Sequence, residues 1–159
     1  MRPEEWPLLE DFLYEAIFVP EDFEGEIPRS IIYEDPKCRA AFKGFGTLPD
    51  DRAVVAEVGC RVIGACWVRT TDEYGHIDDE TPSFSISLYE PYRGCGIGSA
   101  MMGRLLEDLR CASYVRASLS VQKENPAVRL YERLGFRIVG NGADDTEWLM
   151  VIDLDGING

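Results

Sequence analysis

Residues 83–99 read SFSISLYEPYRGCGIGS, and this stretch decides the fold of the chain. Phe84, Ile86 and Leu88 alternate with serines at its start, which is the pattern of a β-strand with one apolar face. Its end holds three glycines, and the residues after it continue with apolar side chains at helical spacing. We therefore predict a strand, a glycine-rich turn and a helix in direct succession.

The glycine-rich turn predicts a bound pyrophosphate. The start of a helix exposes unpaired N–H groups and a partial positive charge, and glycines let the backbone approach an anion closely. A nucleoside triphosphate loop is excluded because no lysine follows Gly98. A dinucleotide fingerprint that begins at Gly94 would need a third glycine at position 99, where Ser99 stands.

A second informative segment covers residues 125–136 and reads NPAVRLYERLGF. Asn125 is a typical helix cap, Pro126 suits the first helical position, and Gly135 suits the end of the helix. The strand predicted before this segment covers residues 115–122, where apolar and polar side chains alternate.

The two segments together resemble the acetyl-CoA site of the GNAT superfamily of N-acetyltransferases. The resemblance covers roughly a third of the chain. It implies an α/β fold with a mixed, mostly antiparallel sheet flanked by helices, in a single domain over residues 1–159. Relatives usually open with a strand, but only Met1 and Arg2 precede the predicted first helix, so we expect that strand to be absent or vestigial.

The remaining predicted elements are compatible with this arrangement. They are a first helix from Pro3 to about Phe18, a helical stretch over residues 29–42 interrupted at Pro36, a hairpin of residues 53–58 and 61–70 with Gly59 and Cys60 as its turn, a loop over residues 71–82, and strands over residues 136–139 and 147–154.

Composition excludes several other classes of function. The net charge of −13 would repel a phosphate backbone, so nucleic-acid binding is not expected. No apolar run is long enough to span a bilayer, and the N-terminus lacks the apolar stretch of a signal peptide. Five cysteines with no CxxC pair predict reduced thiols in the cytoplasm. The one histidine, His76, argues against a metal centre.

The resemblance also implies roles for particular residues. The acetyl and pantetheine groups would meet the backbone of Ile86, Ser87 and Leu88, and Tyr131 takes the position of the general acid that protonates the departing thiolate. One residue fewer separates Asn125 from Tyr131 than in many relatives. The residues expected to hold the rest of acetyl-CoA are Arg93, Gly94, Cys95, Gly96, Ile97, Gly98, Ser99 and Asn125.

The general base is harder to assign from sequence. Some relatives carry a glutamate five residues before the asparagine, where this chain has Ser120. Others use a carboxylate at the start of the strand that leads to the glycine turn, so we predict Glu80 as the base, with Asp79 beside it. A water chain to Ser85 or Ser120, or His76, is an alternative.

The acceptor is expected to be a primary amine of a small molecule or protein that attacks acetyl-CoA directly in a ternary complex. Residues 71–82 hold five acids and no lysine or arginine, which predicts attraction of a cationic acceptor. Alternatives are a covalent route through Cys95, transfer of another acyl group, and a non-catalytic acyl-CoA sensor, which would not need Tyr131. The sequence leaves the oligomeric state open, a homodimer included.

Overall fold

A computed structural model describes residues 1–155 of the chain. Within them, six strands form one sheet in the order β1-β2-β3-β4-β6-β5. The strands are β1 (Arg52–Val58), β2 (Arg61–Arg69), β3 (Ser83–Leu88), β4 (Arg116–Gln122), β5 (Arg137–Asn141) and β6 (Glu147–Asp153). The helices are α1 (Leu9–Ala16), α2 (Ile31–Glu34), α3 (Pro36–Phe42), α4 (Ile97–Cys111) and α5 (Ala127–Leu134), with 3₁₀ helices at Pro3–Leu8 and Glu90–Tyr92.

Neighbouring strands are antiparallel except for β3 and β4. These two strands run parallel and are in register only at Ser83 and Ser118. The Ser118 N–H donates to the Pro82 carbonyl at 3.0 Å. Beyond this point β3 stays paired with β2 while β4 stays paired with β6, so the centre of the sheet opens between β3 and β4. The predicted mixed, mostly antiparallel sheet flanked by helices is confirmed.

Two helical layers cover the two faces of the sheet. Helices α4 and α5 pack on one face with the apolar side chains of β3 and β4, including Phe84 and Leu119. Helices α1, α2 and α3 pack on the other face, where Trp67 of β2 is fully buried and donates its indole N–H to the Ala41 carbonyl at 2.9 Å. Ser87 also faces this second layer and donates to the Phe12 carbonyl at 2.6 Å.

The N-terminal helix differs from its prediction. Residues Pro3–Leu8 form a 3₁₀ helix, and the α-helix that follows ends at Ala16, two residues before the predicted Phe18. Pro7 has no N–H to donate, which interrupts the regular α-helical ladder. The predicted break at Pro36 is confirmed, since Asp35 is extended and its carboxylate caps α3.

The hairpin between β1 and β2 has the predicted two-residue turn. Gly59 and Cys60 both have positive φ values, 54° and 64°, as this tight connection requires. Strand β5 is shifted to Arg137–Asn141 from the predicted residues 136–139, and β6 ends at Asp153. None of the helices within residues 1–155 is long and apolar enough to cross a membrane.

Candidate active site

A cleft of about 1380 Å³ occupies the opening between β3 and β4. Its walls include Ile86 and Tyr131 on the face covered by α4 and α5, and Ser85, Ser120 and Glu147 on the face covered by α1 to α3. The cleft therefore passes through the sheet from one face to the other.

The open edge of β3 supplies backbone donors to this cleft. The Tyr89 N–H points to β2 and donates to the Ile63 carbonyl at 3.0 Å. Peptide directions alternate along a strand, and the pairing of β3 with β2 is regular over residues 83–88. The N–H groups of Ile86 and Leu88 consequently point to the side from which β4 has separated.

The glycine-rich turn lies at the end of the cleft nearest α4. Gly94 and Gly96 have φ values of 74° and 81°, in the left-handed region that favours glycine. Gly96 caps α4, and the Ala100 N–H is bonded to its carbonyl at 3.1 Å. The N–H groups before Ala100 in this first turn have no partner within the helix. A Cβ at Gly98 would lie 3.7 Å from Leu130, so the turn also packs closely against α5.

The structure brings most of the predicted cofactor residues together. Those that line the cleft are Ile86, Ser87, Leu88, Arg93, Gly94, Gly96, Gly98, Ser99, Asn125 and Tyr131. Cys95 is exposed, with its sulfur 3.6 Å from the Arg93 carbonyl, and neither Cys95 nor Ile97 is a wall residue. The side chains of Cys95 and Ile97 do not line the cleft, and only their backbone remains predicted to contact the cofactor.

Arg93 and Asn125 each have polar contacts within the described chain. The Arg93 Nε donates to the Leu88 carbonyl at 2.8 Å, and its guanidinium pairs with Glu15 at 3.2 Å. The Asn125 Oδ1 accepts from the Ala127 N–H at 2.9 Å, and α5 begins at Ala127, one residue later than the predicted start at Pro126. Both side chains therefore have structural contacts in addition to their place at the cleft.

Tyr131 is buried on α5, with 8% of its surface exposed, and still lines the cleft. Its ring meets Phe136 edge to face, with centroids 6.1 Å apart. Burial raises the pKa of the phenol well above its ordinary value of 10.0. The hydroxyl is consequently protonated at neutral pH and able to donate.

Glu80, the predicted base, is not brought to the cleft. It is exposed on the turn before β3, where its N–H donates to Asp78 Oδ1 at 3.0 Å. This turn precedes the point at which β3 and β4 are still paired, so it lies at the closed end of the opening. Asp78 pairs with Arg116, and Asp79 is exposed with Oδ1 4.0 Å from the His76 Nε2.

A carboxylate that the sequence did not single out, Glu147, lies in the cleft wall instead. Its Oε2 accepts from Ser120 Oγ at 2.9 Å, and its Oε1 accepts from Gln122 Nε2 at 3.0 Å. A Cβ at Gly142 would lie only 3.0 Å from Glu147 Oε2, so the glycine leaves room for this pair. The contact depends on the register of β4 and β6, which no local sequence pattern reveals.

Glu73 is a second carboxylate of the wall and is almost fully buried, with 6% of its surface exposed. Its Oε1 accepts from the Gly75 N–H at 3.0 Å. Burial is the main cause that raises its pKa from 4.5 to about 7. Asp35 lies in the same wall, caps α3 and accepts a hydrogen bond from the Tyr74 hydroxyl.

Residues 13–136 match the family model described as the acetyltransferase (GNAT) family. The chain is 36% identical over 61 residues to the [ribosomal protein bS18]-alanine N-acetyltransferase of Haemophilus influenzae, covering 38% of this chain and 42% of that protein. It is 32% identical over 77 residues to the uncharacterized N-acetyltransferase YycN of Bacillus subtilis, covering 48% of each. Both matches span less than half of the curated relatives' length.

Solved structures share the fold over nearly the whole chain. The PaiA N-acetyltransferase from Thermoplasma acidophilum, in complex with coenzyme A, aligns with a TM-score of 0.67 at 16% identity over 96% of this chain and 95% of that one. The YncA putative acetyltransferase from Salmonella typhimurium, with acetyl-CoA, aligns with a TM-score of 0.66 at 15% identity over 98% and 91%. Since the family model covers most of its length, this chain belongs to the GNAT family of acetyltransferases.

Proposed function

We propose that this protein transfers the acetyl group of acetyl-CoA to a primary amine by direct attack in a ternary complex. The observation that carries the proposal is the cleft that crosses the sheet, with backbone donors and Tyr131 on one side and carboxylates on the other. A ternary complex needs both substrates at one opening, and this cleft offers access from both faces.

The glycine-rich turn is the proposed site of the pyrophosphate. Unpaired N–H groups at the start of a 15-residue helix, next to glycines in the left-handed region, favour a bound anion. The solved relatives from Thermoplasma and Salmonella contain coenzyme A and acetyl-CoA, which supports the same cosubstrate here. Asn125 lies at the neighbouring end of α5 and is proposed to contact the cofactor arm.

The open edge of β3 is the proposed site of the pantetheine arm and thioester. The N–H groups of Ile86 and Leu88 extend the strand's donor pattern into the cleft, where amide and thioester oxygens accept hydrogen bonds. A donor near the thioester oxygen is worth most as negative charge develops on it during attack.

Tyr131 is proposed to donate a proton to the departing sulfur. The amine nitrogen forms a bond to the thioester carbon, and the carbon–sulfur bond breaks with its electron pair on sulfur. The buried phenol is protonated at neutral pH, so it offers a hydrogen-bond donor whose contact strengthens as thiolate charge appears. A non-catalytic acyl-CoA sensor would gain nothing from a hydroxyl at this position.

The acceptor is proposed to be cationic before it reacts. An alkyl ammonium is the form present at neutral pH, and the cleft wall on the α1–α3 face contains Asp35, Glu73 and Glu147. The relative from Haemophilus influenzae is named for an alanine amine of a ribosomal protein, so peptide N-termini belong in the acceptor panel beside small amines.

The five free cysteines agree with a cytoplasmic location.

The test is a panel of amines with acetyl-CoA, in which release of free thiol is followed and the acetylated product is identified by mass. The panel contains polyamines, lysine-bearing peptides and peptides with N-terminal alanine. We expect turnover with at least one cationic amine. Tight CoA binding without thiol release above buffer hydrolysis for any amine would favour the sensor, and absence of CoA binding would overturn the proposal.

A further inference from the structure

Two carboxylates of the cleft wall, Glu73 and Glu147, form no ion pair with a lysine or arginine within residues 1–155. Glu73 is bonded to a backbone N–H, and Glu147 is bonded to a hydroxyl and an amide. Lys37 lines the same cleft, but its ion pair is with Asp72 at 2.9 Å. Burial favours the protonated form of Glu73, so the pair presents a proton-accepting group beside a half-buried carboxyl that is open to a cation from outside the chain.

Both carboxylates lie on the face of the sheet opposite Tyr131. Glu147 shares its face with Ser120 and Gln122, whereas Leu119 and Val121 of the same strand point into the core under α4 and α5. This separation suits acyl transfer in a ternary complex, because the amine attacks the thioester carbon from one side while the sulfur departs on another. The proton acceptor and the proton donor are then at different places in the cleft.

We propose that Glu73 and Glu147 form the amine-binding half of the site, where Glu147 holds the incoming ammonium and Glu73 takes its proton. This inference rests on the proposed function and names its acceptor class and base. The ammonium loses one proton to Glu73, and the free amine attacks the thioester. As the carbon–sulfur bond breaks, the thiolate receives a proton from Tyr131 on the opposite face. The attacking nitrogen loses its second proton to solvent, and solvent returns a proton to the phenol.

The surroundings of the two side chains suit these different tasks. Glu147 accepts hydrogen bonds from two neutral donors, which fix the direction of its carboxyl group. Glu73 titrates near neutral pH, where a general base is most effective. The positive charge of Lys37 opposes this rise in pKa and the negative charge of Glu147 adds to it, while Tyr74 and His76 border the same space.

Glu73 also has a route by which to release the proton. A smaller cavity of about 220 Å³ adjoins the cleft and is lined by Glu73, Lys37, Tyr74 and His76. Glu73 is a wall residue of both cavities, so it lies between the acceptor and this second space. His76 also lines this second space, and 23% of its side-chain surface is accessible to solvent.

The test compares Glu73→Gln and Glu147→Gln, with Glu57→Gln on the exposed edge strand β1 as the matched control. We expect Glu73→Gln to lower kcat by about 10²-fold and to abolish the rise of kcat near neutral pH. Glu147→Gln should raise KM for the amine by about tenfold with a smaller change in kcat. CoA affinity should remain that of the wild type in all three variants.

Two further readouts keep the outcomes distinct. In carbon-13 spectra of the wild type, one glutamate carboxyl should titrate near neutral pH, and its signal should be missing from Glu73→Gln. An active wild type with unchanged kinetics in both variants, or loss of the pH-dependent rise in Glu80→Gln in place of Glu73→Gln, would overturn the inference alone. A wild type that binds CoA and acetylates no amine would overturn the proposed function, and the inference with it.

Discussion

The two faces of the sheet at the cleft are built in different ways. On the α4–α5 face, the glycine turn, Asn125 and Tyr131 come from one stretch of chain, residues 93–131. On the α1–α3 face, Asp35, Glu73 and Glu147 come from three separate parts of the chain. The difference teaches that the cofactor half of this site is encoded locally, whereas the acceptor half exists only once the sheet has formed.

The two halves also differ in electrostatics. The cofactor half presents the N-terminus of α4, which carries a partial positive charge, and the acceptor half presents carboxylates. We therefore expect the anionic cosubstrate to bind on the α4–α5 face and the cationic acceptor to bind on the α1–α3 face. Substitutions on one face should change the handling of one substrate and leave the other unaffected.

The largest effect is expected from Tyr131→Phe. Loss of the hydroxyl removes a contact that strengthens only as the thiolate forms, so kcat should fall by about 10² to 10⁴-fold. Steady-state kinetics on a competent amine, with CoA affinity from calorimetry, would measure this. Tyr33→Phe, whose hydroxyl bonds Glu10 at 2.6 Å on the surface, is the control. An unchanged kcat would reduce Tyr131 to a packing residue.

Glu73→Gln should also change stability in a pH-dependent way. The folded pKa of about 7 lies above the ordinary 4.5, so the native state binds a proton that the unfolded state releases. The wild type then loses stability as pH rises from about 4.5 through about 7, by about 3 kcal/mol in total, whereas the glutamine variant does not.

Denaturant unfolding across this pH range would detect the difference. The free energy of unfolding of Glu73→Gln relative to the wild type should increase from acid to alkaline pH. Glu57→Gln, at the exposed end of β1, should follow the wild type. If the unfolding free energies of Glu73→Gln and the wild type vary with pH in the same way, the pKa of Glu73 is not raised in the folded protein.

Gly96→Val should weaken CoA binding by at least about tenfold. The branched side chain enters a left-handed position at the cap of α4, where the pyrophosphate is proposed to approach. Gly59→Val introduces similar backbone strain in the distant hairpin turn and should leave CoA affinity unchanged. Calorimetry on folded variants would decide, and undiminished affinity in Gly96→Val would remove the turn from the site.

The smallest effect is expected when Asp78, Asp79 and Glu80 are all replaced by their amides. These carboxylates lie on the turn outside the cleft, and Asp78 already pairs with Arg116. Their contribution is long-range attraction, which salt screens, so kcat/KM for a cationic amine should fall by less than about threefold and only at low salt. A large loss at every salt concentration would restore Glu80 as the base.

The sequence reveals the fold and the cofactor half because their signals are local. Each of these signals occupies only a few residues. They are the serine alternation in β3, the glycines before α4 and the Asn125 cap. Glu147 could not be found in this way, since its contact with Ser120 depends on the pairing of β4 with β6. Glu73 is one of the five acids of residues 71–82. Sequence alone does not show that Glu73 is buried whereas the other four acids are exposed or paired.

The most direct test of the claim that the two substrates bind on opposite faces of the sheet is a set of initial rates. These are measured over acetyl-CoA and amine concentrations for Gly96→Val and Glu147→Gln. We expect Gly96→Val to raise KM for acetyl-CoA by about tenfold or more and to leave KM for the amine near that of the wild type. Glu147→Gln should show the reverse pattern. If either variant raises both constants to the same extent, the separation of the two substrates onto opposite faces of the sheet is wrong.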